Sequence, residues 1–165
     1  MKLPEPWLRG PIADVPAPLM PVLFSFIQAR EDLEFHTAAF STGQLWARPA
    51  GLGPVGFHIR HIGRSTDRLM TYLQEQQLSE AQLKALDAEM GPGESRAQLF
   101  DELNGHLAAA EAVVRRLDLS KLVEPRGVGR KKLPTTVIGL LTHIAEHTQR
   151  HVGQAICIAK IVRAL

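Results

Sequence analysis

The chain has 165 residues, of which 45% are hydrophobic and 22% are charged, and its formal net charge is +2. This length and balance exclude a disordered, collagenous or membrane-spanning protein and fit one globular domain covering residues 1–165. The lone Cys157 excludes an internal disulfide bond. Because the sequence also starts without the apolar run of a secretory signal, it predicts a cytoplasmic protein.

Basic residues are concentrated near the end of the sequence. Residues 121–165 hold eight Lys and Arg against two Asp and Glu, and half of those eight lie in residues 126–132. Such a loop could neutralise phosphates. No aromatic residue accompanies it to stack on bases, so we expect a solvated loop and no nucleic-acid partner. Polar residues interrupt the most apolar segment, residues 137–162, so no membrane partner is expected either.

The first 21 residues contain six of the eleven prolines. Proline fixes φ and lacks a backbone N–H, so residues 1–18 are predicted to form an extended arm lying on the body of the protein. Residues 19–40 then place apolar side chains at steps of three and four, the spacing of one helical face. This segment is the first predicted long helix.

A second long helix is predicted over residues 54–75, after a loop rich in glycine and proline. Pro54 suits its first turn because the missing N–H has no partner at that position. Apolar residues share one side of this helix, and its other side includes Arg60 and Arg64. The helix is therefore expected to bury one face and expose the other.

The second half of the chain predicts three more helices. Residues 79–90 form a short one with Ser79 as its N-cap, and a third long helix starts near Ser95. Residues 122–134 read as a loop of glycine, proline and basic residues, and the fourth long helix covers residues 135–163. Four long amphipathic helices, one short extra helix and no convincing alternating strand predict an all-α four-helix bundle.

Five of the seven histidines lie on two predicted helices. On the fourth long helix His147 and His151 are one turn apart and project from the same face, with His143 further out. On the second, His58 and His61 flank the apolar side. Three neutral imidazoles from two helices would form an open metal site with positions left for water or substrate. The spacing alone leaves the choice between His58 and His61 open.

Three other residues are expected to be packed in the core rather than to carry chemistry. His36 and His106 each stand alone on an apolar helical face, and Cys157 lies within an apolar run.

Residues 143–147 match the inverted H-x-x-E-H pattern of some zinc peptidases. That site needs a further ligand downstream, usually a carboxylate, and no Asp or Glu follows residue 147. A peptidase is therefore not predicted.

Two segments resemble the DinB/YfiT-like superfamily: H-I-G-R-S-T-D-R-L at residues 61–69 and H-T-Q-R-H-V-G-Q at residues 147–154. The similarity in helix order and in the loop before the last helix extends over about residues 19–163. It implies a four-helix bundle with three histidine ligands to a metal. The residues that match these ligands are His61, His147 and His151. The residues expected to support these ligands, or to replace one of them, are His58, His143 and Gln154.

The resemblance also implies a reaction class, since characterised members include S-transferases and isomerases that use low-molecular-weight thiols. A divalent ion on three neutral ligands keeps its positive charge, so it can hold a thiol as the thiolate. We therefore expect a divalent transition metal, zinc or nickel first, with iron or copper also suited to three imidazoles. The expected partners are a small thiol, or water in its place, and a small electrophile. Arg64 and Arg68 flank His61 and are candidates to hold a carboxylate of either partner; the alternative is that they form a solvated polar stripe.

No residue near the three histidines is an unambiguous general acid or base. The alternative hypothesis is therefore a dimeric module that binds a metal or small ligand without turnover. Helix faces that the site does not use leave apolar surface, which predicts a homodimer in either case.

Overall fold

A computed structural model describes residues 4–165, so the first three residues of the predicted arm lie outside it. The described part of the arm contains two short 3₁₀ turns, Pro6–Leu8 and Ala17–Leu19. Between them Val15 is buried, and Arg9 forms two hydrogen bonds of 2.6 Å with the carboxylate of Glu31. The arm therefore packs along the first long helix.

The described residues form an all-α bundle, as predicted, and the four long helices are confirmed with their ends shifted by a few residues. The helices of the structure are α1 (Met20–Thr37), α2 (Thr42–Trp46), α3 (Val55–Leu73), α4 (Glu80–Asp87), α5 (Arg96–Arg115) and α6 (Val137–Ala164).

Serine residues begin three of these helices. Ser79 and Ser95 each accept a hydrogen bond from the backbone N–H three residues later, as predicted for the N-cap of α4 and for the start of α5. Ser41 forms a capping box with Gln44 and begins α2, which lies in the loop predicted before the second long helix. The capping signal was present there, but the helix has only five residues and shows no apolar periodicity.

The expectation that the chain has no strands was wrong. The predicted loop before α6 contains an antiparallel hairpin of β1 (Pro125–Val128) and β2 (Leu133–Thr136). The turn between them is tight, with Gly129 and Lys132 at positive φ. Four of the eight hairpin residues are exposed and four are only partly buried, so neither face is buried deeply enough to require the alternation of apolar and polar residues that identifies a strand in a sequence.

Helix α3 packs against α5 on one side and α6 on the other, and α1 packs against α6. At Gly63 the backbones of α3 and α5 approach so closely that an added Cβ would lie 3.3 Å from the Cα of Leu103. The apolar faces of the four long helices form one shared core. Because α3 and α6 are neighbours in this bundle, their histidines meet at a single interface.

The predicted burial of two side chains is wrong. Arg60, assigned to the polar side of its helix, is 2% exposed, because its guanidinium group finds partners inside the protein. Cys157, assigned to the core, is exposed on α6. Among the helices of residues 4–165, none has the length and apolar character that crossing a membrane requires.

Candidate metal centre

Three histidines from two helices converge at the interface between α3 and α6. His61 of α3 and His147 and His151 of α6 each present one ring nitrogen, and these atoms all lie within 4.8 Å of one another. The Nε2 atoms of His61 and His147 are 3.4 Å apart. Two nitrogens bound to a tetrahedral ion at about 2.0–2.1 Å lie about 3.4 Å from each other. The spacing of this pair therefore fits a zinc-sized ion, and His151 completes the group of three.

The three rings are half-buried, and burial sets the charge of two of them, His147 and His151. Burial, reinforced by the neighbouring His61, lowers the pKa of His147 to about 4. Burial and the same neighbour lower the pKa of His151 to about 3. Both rings are therefore neutral at pH 7, so each keeps the lone pair that a metal ion requires.

His61 is oriented by a buried carboxylate. Its Nδ1 lies 2.6 Å from Oε2 of Glu89, and Arg68 donates to the other carboxylate oxygen at 2.5 Å. Burial alone would raise the pKa of Glu89, but the hydrogen bonds from His61 and Arg68 outweigh it, and the pKa lies below its usual value. An ionised Glu89 fixes the proton of His61 on Nδ1, which leaves Nε2 facing the other two histidines.

A buried arginine holds the segment that carries Glu89. This segment follows α4, and Arg60 reaches it from α3, forming an ion pair with Glu94. The guanidinium group also packs over the ring of Trp46, with 4.8 Å between its central carbon and the ring centroid. Its Nη1 donates to backbone carbonyls of the segment at 2.7–3.3 Å, namely those of Ala88, Glu89 and Gly91.

His58 lies behind His151 rather than among the three converging rings. The two Nδ1 atoms are 2.9 Å apart, so one ring donates to the other. His58 is 5% exposed, and burial together with the neighbouring His61 lowers its pKa to about 4. With His58 as a neutral acceptor, His151 carries its proton on Nδ1 and presents Nε2 to the interface.

His147 has a weaker partner on its far side. Its Nδ1 lies 3.5 Å from Oγ of Ser65, which is a long contact. Phe57 stacks on His61 with 5.2 Å between ring centroids and covers that ring. Each converging ring therefore has a neighbour on the nitrogen that points away from the cluster, as metal-binding histidines usually do.

The remaining predicted site residues lie around this cluster. His143 is exposed and bonds Glu146 at 2.7 Å, and Gln154 is exposed one turn beyond His151. Arg64 donates to Glu102 at 2.6 Å and to a backbone carbonyl. Like Arg68, it is thus engaged by a protein carboxylate, and substrate binding by these two arginines stays a prediction.

The role of Glu89 and the inward position of Arg60 are not predicted by the sequence. Glu89 is one of four acidic residues between 79 and 94, and it sits just before the G-P-G break at 91–93. That break marks the end of a helix but says nothing about which side chain turns inward. The contact with His61, 28 residues away in the chain, depends on the tertiary fold.

The fold and this histidine cluster define a class: a helical bundle with a group of three imidazoles that can hold a metal ion. Residues 25–155 match the family model of the DinB superfamily, and the chain belongs to that superfamily. It also shares its fold with a conserved protein of a locus from Enterococcus faecalis, whose crystal structure superposes with a TM-score of 0.74. That match has 16% sequence identity and covers 90% of this chain and 98% of the other. No curated protein matches the chain.

Proposed function

We propose that His61, His147 and His151 bind a divalent transition metal ion, with zinc or nickel as the preferred ions. The site then activates a low-molecular-weight thiol, or water, for transfer to a small electrophile. The observation that carries the proposal is the convergence of one ring nitrogen from each histidine within 4.8 Å. Membership of the DinB superfamily supports it.

The three histidine ligands suit a metal ion that takes part in a reaction. Three neutral ligands leave the charge of a divalent ion uncompensated and leave coordination positions free. Bound here, such an ion would favour the thiolate form of a thiol at neutral pH.

The surrounding residues keep the ligands in place. Glu89 and His58 hold the far nitrogens of His61 and His151 at 2.6 and 2.9 Å, so neither ring can rotate freely. Phe57 stacks on His61 and shields one side of that ring from water. Glu89 is occupied by both His61 and Arg68, so its role is to position the ligand.

The proposed reaction balances without a redox partner. When a thiol adds to an activated double bond, the sulfur–carbon bond forms and the π electron pair moves to the carbon beside the activating group. The thiol proton ends on that carbon, and nothing leaves. When the acceptor carries a leaving group, that group departs with its electron pair and the thiol proton passes to solvent.

The proposal places the protein in the cytoplasm, where thiols are kept reduced. It also includes a homodimer, since apolar side chains such as Phe35 and Ile161 remain exposed on α1 and α6. Sedimentation at micromolar concentration should give twice the mass of one chain. A monomer would remove the dimer without affecting the metal site.

The test of function uses protein without a histidine tag, stripped by a chelator and reloaded with zinc in graded amounts. Conjugation of glutathione, cysteine or N-acetylcysteine to 1-chloro-2,4-dinitrobenzene should rise in proportion to metal occupancy. His151→Ala should abolish the activity, whereas His36→Ala, which lies outside the cluster, should retain it. A protein that binds zinc in full but gives the same rate loaded and stripped, with water as well as with thiols, would be a binding module without turnover.

A further inference from the structure

A cleft of about 370 Å³ opens directly beside His151 of the cluster and its neighbour His58. It lies between the segment that precedes α3 and the second half of α6, and this volume is within the range of small-molecule sites. The residues that line it are Leu52, Gly53, Phe57, His58, His151, Gln154, Cys157 and Ile158.

The lining of this cleft has a specific chemistry. Its apolar walls are Leu52, Phe57 and Ile158, and no Asp, Glu, Lys or Arg of the described residues lines it. A charged group that enters such a cleft loses hydration and meets no opposite charge. Gln154 and Cys157 supply the polar edge, and the Gln154 amide can both donate and accept a hydrogen bond. The cleft therefore favours uncharged molecules.

A second cleft near α3 has the opposite character. It measures about 310 Å³ and is lined by charged residues of α3 and α5, including Arg64, Arg68 and Glu102. None of the three clustered histidines lines it. The charges of its two arginines are already matched, since Arg64 donates to Glu102 and Arg68 donates to Glu89. Of the two clefts, only the uncharged one reaches a histidine of the cluster.

We propose that the cleft beside His151 binds the electrophilic acceptor and selects acceptors that are uncharged. The apolar body of the acceptor lies between Leu52, Phe57 and Ile158, and Gln154 hydrogen-bonds a neutral activating group such as a carbonyl or nitro oxygen. This inference rests on the proposed function for the identity of the reaction. An uncharged acceptor in this cleft is an alternative to an acceptor whose carboxylate is held by Arg64 and Arg68.

The test measures binding rather than turnover, with two probes of nearly equal size, benzamide (neutral) and benzoate (anionic). Methyl signals of Leu52 and Ile158 in carbon–proton correlation spectra report occupancy of the cleft. Benzamide should shift both signals in zinc-loaded and in metal-free protein, and benzoate should bind at least tenfold more weakly to the metal-free protein. Equal or tighter binding of benzoate there, or no shift with benzamide, would overturn the proposal.

Substitutions at exposed positions separate the cleft from the rest of the surface. Cys157→Phe fills the cleft and should weaken benzamide binding at least tenfold, whereas Lys160→Phe, also exposed on α6, should leave it unchanged. Gln154→Arg supplies the missing positive charge and should reverse the preference in favour of benzoate. Unchanged benzamide binding in Cys157→Phe would contradict the assignment. Because these measurements need neither metal nor thiol, their failure is distinguishable from a failure of S-transfer.

Discussion

The histidine cluster has two unlike sides. On the side of α4, His61 contacts Glu89, which Arg68 also holds, and Arg60 fixes the backbone of the same segment. On the side of the cleft, His151 contacts the neutral His58, and the walls carry no charged side chain among the described residues. One side is thus a network of ion pairs and the other an uncharged opening.

The difference indicates a division of labour. The charged side chains near α4 satisfy one another, so this side needs no ligand and serves as a support that fixes His61. The cleft side leaves apolar surface open next to His151, and apolar surface gains free energy when a ligand covers it. A substitution on the charged side should therefore affect stability and metal affinity, and one in the cleft should affect ligand binding.

The largest expected effect is the loss of a ligand. His147→Ala or His151→Ala leaves two of three donors and should abolish stoichiometric metal binding. His36→Ala and His106→Ala, which remove histidines outside the cluster, should leave the metal content unchanged. Metal analysis of the four chelator-washed variants gives the result, and equal metal content in all four would show that the ion binds elsewhere.

Next in size is the loss of the buried support. Arg60→Ala removes the donor to three carbonyls and the partner of Glu94, and should lower the free energy of unfolding by about 3 kcal/mol. The exposed Arg48→Ala should change it by less than about 0.5 kcal/mol. Urea denaturation of the metal-free variants measures both. Similar values for the two would mean that Arg60 does not organise this side.

Removing the charge next to His61 should have a smaller effect, seen in metal affinity. Glu89→Gln should weaken zinc binding about 10- to 100-fold, since His61 loses the acceptor that orients it. His58→Ala, on the other side, should weaken it about tenfold. Competition with a zinc chelator measures these affinities, with the exposed Glu80→Gln as the control. Complete loss of binding in His58→Ala would instead make His58 a ligand in place of His61.

The last effect concerns pH and depends on the three histidines whose pKa is lowered. His58 and His147 have a pKa of about 4 and His151 of about 3, against 6.5 in the unfolded chain. Below pH 6.5 the unfolded state binds protons that the folded state does not, so the free energy of unfolding falls as the pH falls towards 4.

Urea denaturation of the metal-free protein at pH 7.0, 6.0 and 5.0 measures this dependence. From pH 7.0 to 5.0 most carboxylates are ionised in both states, since Glu102, for example, has a pKa of about 2 in the folded state and an ordinary value of 4.5, so this window reports mainly on histidines. His151→Gln should flatten the slope. A stability that does not change over the window would contradict the burial of neutral rings.

Local patterns in the sequence predict much of this molecule. The periodicity of α1, α3, α5 and α6 and the serine caps depend on neighbours within a few residues, so they can be identified without the fold. The i, i+4 spacing of His147 and His151 belongs to the same kind of information. The sequence could place these two rings on one face, but the choice of His61 came from the resemblance.

What the sequence could not predict depends on contacts between distant segments. Arg60 is predicted on the polar side because a helical wheel places residues by their polarity alone. It does not show that backbone carbonyls after α4 accept hydrogen bonds from this side chain. Glu89 contacts His61, which is 28 residues away in the chain. The strands β1 and β2 lack the alternation of apolar and polar residues that identifies a strand. Cys157 lies in an apolar run, yet the neighbouring segment before α3 does not cover it, which leaves it in the cleft.

The most direct test of the metal centre is a crystal structure of the zinc-loaded, tag-free protein with data collected on both sides of the zinc absorption edge. The anomalous signal should show one ion per chain, about 2.0–2.1 Å from a ring nitrogen of His61, His147 and His151. His58 should remain hydrogen-bonded to His151 and outside the coordination shell. An ion bound to other residues, or the absence of an anomalous peak between α3 and α6 in protein that contains zinc, would contradict the proposed site.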